Sequence, residues 1–155
     1  MTMTEFRDLL SPITTRLEGR SLDSDLEAQL NREFPAGGPA TQAIFDACRN
    51  AIDAGWMCNR QAGGIRFGRV IKPDAGSNQF SVDVVEMTNL AGPHHRHPNG
   101  EVDLIMPLTP GATFDGRPAG WLVYGRDSSH APTVTGGTAW VLYLLPEGAI
   151  EFTKP

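Results

Sequence analysis

The spacing of hydrophobic residues changes once along this chain, from a helical repeat to a strand repeat near Gly55. Before it, Phe6, Leu9, Leu10, Ile13 and Leu17 follow i, i+3, i+4, i+7 spacing and share one helix face. Ser21-Leu22-Asp23-Ser24-Asp25 supplies N-caps and acidic residues for the first turn of a second helix, along which Leu22, Leu26 and Leu30 recur every fourth residue. Pro35-Ala36-Gly37-Gly38-Pro39 interrupts the chain. A third helix is predicted from about Thr41 to Ala54, with Ile44, Phe45, Cys48 and Ile52 inward and Gly55 as its C-terminal stop.

After Gly55 the pattern alternates. Ile65 to Ile71 and Phe80 to Met87 read as strands joined by the turn Pro73 to Asn78. Glu101 to Met106, Gly120 to Tyr124, Ala131 to Thr135 and Thr138 to Leu145 are further short strands, separated by Gly116, Pro118, Gly125, Gly136-Gly137 and Pro146-Glu147-Gly148. Many short strands with closely spaced turns mean an all-β sandwich or barrel, and no helix-length segment lies between them to make a βαβ unit.

A chain of 155 residues suits one domain with a sizeable core. The helical part is too small to fold by itself, so residues 1–55 are expected to pack on, or cap, a β-barrel formed by residues 56–155. A net charge of -5 with no lysine or arginine run argues against nucleic acid and anionic membrane surfaces as partners. Met1 to Glu18 is broken by charged residues, unlike a signal peptide, and the longest apolar run, Trp140 to Leu145, has strand length. The expected location is the cytoplasm, with Cys48 and Cys58 as buried thiols because no CxxC pair is present. Trp56, Trp121 and Trp140 read as core.

All four histidines are His94, His95, His97 and His130. Residues two apart on a strand point the same way, so His95 and His97 project together and His94 away from them. Pro98-Asn99-Gly100 makes a tight turn that brings Glu101, at the start of the next strand, back toward them. His130 is expected to open another strand after the turn Gly125 to Ser129. Three imidazoles and one carboxylate form a mixed nitrogen and oxygen site with open positions, which suits iron(II), manganese, nickel, cobalt or zinc. A metal-free polar pocket or an exposed His-rich loop would use the same residue types. The combined HxHxxxE spacing and the later turn with a further histidine favour the metal.

His95-x-His97-x3-Glu101 resembles the first cupin motif, and the turn before His130 resembles the start of the second. The first motif usually begins with Gly where this chain has Asn89, and the second favours Gly where it has Asp127. A cupin-type jelly-roll barrel is what this resemblance implies. Across nearly the whole chain, Gly55 to Arg60, Gly63 to Pro73, Phe80 to Met87, Gly92 to Glu101 and Leu142 to Gly148 resemble the 4-hydroxylaminobenzoate lyase family.

That resemblance implies conversion of 4-hydroxylaminobenzoate to 3,4-dihydroxybenzoate with release of ammonia. A divalent metal held by His95, His97, Glu101 and His130 would be the Lewis acid, with Glu101 as general acid and base if no metal binds. Arg66, Arg69 and Arg126 are the candidate cations for the substrate carboxylate, and Tyr124 and Tyr143 for contact with the ring or proton donation. A metal-dependent dioxygenase and a non-catalytic small-molecule-binding cupin are the alternatives. By analogy with cupins that pair through their sheets, a homodimer is expected.

Overall fold

The structure is a computed structural model that describes residues 1–154. Three helices come first: α1 (Met3–Leu17), α2 (Ser24–Glu33) and α3 (Pro39–Asp53). Ten strands follow: β1 (Arg60–Ala62), β2 (Ile65–Ile71), β3 (Phe80–Ala91), β4 (His95–His97), β5 (Glu101–Pro107), β6 (Thr113–Phe114), β7 (Gly120–Tyr124), β8 (Ser128–His130), β9 (Thr133–Pro146) and β10 (Glu151–Phe152). Seven of them form one sheet in the order β1-β2-β3-β9-β5-β7, with β6 also on β9. The other three form a small sheet, β10-β4-β8. Every pairing is antiparallel, and the chain is mainly β with three N-terminal helices, as its periodicity predicts.

The helices start where their caps dictate. Thr2 Oγ1 accepts the Glu5 N–H at 3.1 Å, and Asp23 Oδ1 accepts the Leu26 N–H at 2.9 Å. Gly55, at φ +86°, takes the left-handed conformation that ends α3. The apolar stripes then meet one face of the large sheet. Phe6, Leu10, Ile13, Leu26, Leu30 and Ile44 share a single core with Val82, Val84, Leu104, Met106, Leu142 and Leu144. Each such side chain, once fully buried, contributes about 1.5–3 kcal/mol. Their sequence neighbours on β3, β5 and β9 point the other way, where Met87, Ile105, Leu122, Val141 and Tyr143 form a second cluster.

Strand β7 ends the large sheet, and α2 covers its open edge. Asn31 exchanges two bonds with the backbone of Trp121, donating to its carbonyl at 2.9 Å and accepting from its N–H at 2.8 Å. Glu27 Oε1 accepts the Val123 N–H at 2.9 Å. Two helix side chains therefore satisfy backbone groups that a further strand would otherwise engage.

The structure differs from the sequence reading at two junctions. Gly136-Gly137 does not separate two strands: β9 runs through it, and the register with β3 shifts between Thr88 and Leu90. Asn89, at φ +47°, accepts the Gly137 N–H at 2.9 Å across this bulge. His130 ends a strand rather than opening one, because β8 pairs with β4 and stops short of Pro132. Cys48 and Cys58 are free and buried, and burial pushes both thiols up to about 12. Trp121 and Trp140 are core; Trp56 is partly buried against it. No helix among the described residues is long and apolar enough to cross a membrane.

Candidate metal centre

Strands β4 and β8 pair with His95 opposite His130 and His97 opposite Ser128. This register, with the alternation along β4, sets three imidazoles on the face of the small sheet that looks at the large one. Glu101 comes from the large sheet, at the start of β5. The turn between β4 and β5 closes because Gly100 adopts φ +86° and donates its N–H to His97 O at 3.2 Å. A side chain there has no room: a Cβ on Gly100 would lie 2.7 Å from both Leu22 Cδ1 and Tyr124 O. The result is one cluster, His95, His97, Glu101 and His130, whose ligand atoms all lie within 4.8 Å of one another. His95, His97 and Glu101 are buried and His130 is partly so.

Each imidazole is oriented by an acceptor behind it. His95 Nδ1 lies 3.1 Å from Pro93 O, which can only accept, so that nitrogen carries a proton. His97 Nδ1 is 2.9 Å from Ser128 Oγ, whose own proton goes to Gly125 O at 2.6 Å. His130 Nδ1 donates to Asp115 Oδ2 at 2.6 Å. Burial raises the Asp115 carboxyl, but the hydrogen bonds of His130, Tyr124 and the Thr133 N–H outweigh it and hold it below the usual carboxylate range. Asp115 is therefore ionised and accepts. The three Nε2 atoms are left facing inward, 2.9 Å apart for His95 and His97 and 3.1 Å apart for His95 and His130.

These distances decide what the cluster fits. With the proton on Nδ1, a neutral ring presents a lone pair at Nε2, and lone pairs cannot hydrogen-bond to one another. Glu101 adds to the difficulty. Its Oε2 is 3.1 Å from His97 Nε2 and 3.9 Å from His130 Nε2, yet neither of its buried oxygens has a hydrogen-bond donor. A cation resolves all four at once. Imidazole nitrogens bind zinc at about 2.0–2.1 Å, so donors this close can share one ion. Acceptors behind ring nitrogens are also the usual support of metal-bound histidines. Burial further lowers the His95 pKa, although the Glu101 charge opposes this, and so keeps the ring neutral and able to ligate.

Asp103 lies two residues beyond Glu101 on the same face of β5, fully buried, with no hydrogen-bond donor to either oxygen. Burial first, and then the neighbouring Glu101 charge, raise its pKa well above the carboxylate range.

A cavity of about 410 Å³ opens from His95 between the two sheets. Its walls are largely apolar, with Ile65, Phe67, Val85, Met87, Leu145 and Phe152 among them. Its polar lining is Arg60, Arg69, Asp83, His95 and Tyr143. Burial, followed by the charges of Glu101 and Asp103, pushes the Tyr143 phenol well above its ordinary value, so it keeps its proton at neutral pH.

Of the residues singled out from sequence, His95, His97, Glu101 and His130 are brought together. His94 is not in the cluster; its Nδ1 is 2.6 Å from Thr153 Oγ1. Arg66 is not brought to the cavity: it lies on the helix-facing side of the sheet, 3.1 Å from Glu86. Arg126 is exposed and lines a different hollow, beside Asn99 and Glu147. Tyr124 packs its ring against His97 and His130, with centroids 5.5 and 4.6 Å apart, and spends its hydroxyl on Asp115. Asp115, Ser128 and Arg60 were missed. Asp115-Gly116, both at positive φ, is a tight-turn signal that marks the place but not the role.

Comparison with known proteins follows the same lines. The family described as PnbB: 4-hydroxylaminobenzoate lyase matches residues 8–152. A 4-hydroxylaminobenzoate lyase of Nocardioides sp. (strain LMS-CY) is 31% identical over an alignment of 155 positions that covers 94% of this chain and 91% of the relative. A second, of Pseudomonas putida, is 26% identical over an alignment of 154 positions that covers 88% of each chain. Among solved structures, an RmlC-like cupin protein from Ralstonia eutropha JMP134 overlays 60% of this chain and 62% of its own at 11% identity, with a TM-score of 0.45.

Proposed function

This chain belongs to the 4-hydroxylaminobenzoate lyase family, and on that premise we propose that it converts 4-hydroxylaminobenzoate and one water to 3,4-dihydroxybenzoate and ammonia at the His95, His97, Glu101 and His130 cluster. The atoms balance without an external oxidant, because the N–O bond of the substrate is broken and its nitrogen leaves reduced. The observation that carries this reading is the trio of inward-facing Nε2 atoms beside an undonated Glu101 carboxylate, opening on an apolar cavity. A divalent ion held there supplies Lewis acidity and a water of lowered pKa.

The chain's own residues do the rest. Apolar walls admit the ring of an arene and exclude bulk water, which strengthens every polar contact inside. Tyr143 lines the cavity with its hydroxyl protonated, able to donate a hydrogen bond to the oxygen that leaves nitrogen. Asp115 and Ser128 hold His130 and His97 in the tautomer that ligates, and Tyr124 acts through Asp115 rather than on substrate.

The test is an anaerobic assay with 4-hydroxylaminobenzoate on protein of known metal content. Ammonia and 3,4-dihydroxybenzoate should appear in equal amounts, and chelation should stop both. Turnover that requires O2 would replace the lyase with a dioxygenase. Binding without turnover would make the protein a small-molecule sensor.

A further inference from the structure

The cavity has a cationic end that no part of the reaction scheme uses. Arg69 and Asp83 are partners across β2 and β3, Asp83 and Tyr143 across β3 and β9, and Tyr143 and Asp103 across β9 and β5. One row of side chains thus crosses the inner face of the large sheet from the cavity rim to the buried acids. Arg69 is seated within it. Its Nε donates to Asp83 Oδ1 at 3.1 Å, and its Nη2 donates to Asp83 Oδ2 at 3.2 Å and to Gly148 O at 3.3 Å. Gly148 leaves space for it, since a Cβ there would stand 2.8 Å from Nη1. Nη1 itself has no hydrogen-bond partner among the described residues.

Arg60 lies opposite Phe67, two residues before Arg69 on β2, so both arginines share the cavity face and flank that aromatic ring. Two arginines against one aspartate leave this end with one surplus positive charge. The other end holds His95. Three strand spacings, about 14 Å, separate the backbones of Arg69 and Asp103. The arginine side chain fills part of that span, and an arene with groups at opposite ends of its ring fits the remainder.

We propose that Arg69, fixed in plane by Asp83 and Gly148, together with Arg60, binds the carboxylate of a para-substituted arene carboxylate whose other substituent faces the His/Glu cluster. The inference rests on reading this cavity as the substrate site. A guanidinium already locked by one carboxylate loses little freedom on meeting a second, and Nη1 is the nitrogen left without a partner. Asp83 is a positioning residue, and Arg60 and Arg69 are the specificity-determining ones.

The experiment uses metal-loaded protein and two probes of the same shape, 4-aminobenzoate and neutral 4-aminobenzamide, with binding measured by calorimetry. Wild type should prefer the carboxylate by at least about tenfold. Arg69→Gln should remove most of that preference and leave the amide unaffected; Arg60→Gln, at an exposed position that does not endanger folding, should remove part of it. With 4-hydroxylaminobenzoate, KM should rise in both variants while kcat stays within about threefold, the pattern of a lost ground-state contact. Wild type that does not discriminate the two probes, or variants that bind 4-aminobenzoate like wild type, would overturn the proposal. Arginine-dependent binding without turnover of 4-hydroxylaminobenzoate would keep the carboxylate site and remove the reaction. Turnover with unchanged KM in both variants would do the reverse.

Discussion

The two faces of the large sheet use the same strands for different ends. On the helix side, Val82, Val84, Leu104, Met106, Leu142 and Leu144 meet α1, α2 and α3, and Glu86 is held by Arg66 and by Trp140 Nε1 at 3.0 Å. One residue along, the inner face carries Asp83, Glu101, Asp103 and Tyr143, with several polar atoms left without donors. Alternation therefore places stability and chemistry on adjacent residues of one strand. On the helix side Arg7 Nε is the one buried side-chain atom without a partner among the described residues; the inner side gathers the carboxylates of Glu101 and Asp103 beside the cluster, a donor set that suits a cation.

The sharpest way to separate the faces is to change one residue on each. His97→Ala removes a buried inward donor and should cost more than the ~100-fold that outer contacts of a metal site are worth. Metal stoichiometry and initial rate should collapse together, while the denaturation midpoint of metal-free protein stays near wild type. Loss of the fold along with the metal would show that the faces are not independent. Leu104→Ala on the same sheet should do the opposite. It should cost about 2–5 kcal/mol in urea unfolding, with metal per folded molecule unchanged.

Asp115→Asn tests the inner face one contact behind the cluster. Asn keeps the shape but not the charge that holds the His130 proton on Nδ1. Metal affinity, read by competition with a chelator, should fall about 10–100-fold. The helix side has its own pH signature. Cys48 and Cys58 titrate near 12 when folded against an ordinary 9.0, so the folded state resists losing these protons. The stability they contribute is complete below about pH 9 and is lost as pH rises toward 12, at roughly 1.4 kcal/mol per pH unit for each thiol. Urea midpoints above pH 9 should fall less steeply in Cys48→Ala. Smallest of all should be His94→Ala, with metal content equal to wild type. If that variant loses its metal and His95→Ala keeps it, the inward register of β4 is wrong.

How much of this was legible depends on how far apart the cooperating residues lie. His95, His97 and Glu101 are joined by one tight turn, so strand parity alone brings them together. His130 was readable as a further imidazole, but not its position at the end of β8, because that is set by pairing with β4 across more than thirty residues. Asp115 and Ser128 reach the histidines only through such pairing. Which of the candidate arginines reaches the cavity was not legible for another reason. Strand β2 is partly buried on both faces, so alternation does not reveal which parity looks into the cavity, and Arg66 and Arg69 differ in parity. The missing motif glycines turned out to be harmless: Asn89 and Asp127 hold φ +47° and +65°, which Asn and Asp tolerate better than most residues.

The contact of α2 with β7 has a consequence for how molecules of this protein meet one another. An edge strand with free N–H and C=O groups recruits other edges, and a sheet that ends in Gly120–Tyr124 would extend from copy to copy. Asn31 and Glu27 occupy that seat with side chains. The helix thus works as a terminator of sheet growth: it closes this edge to the addition of a further strand.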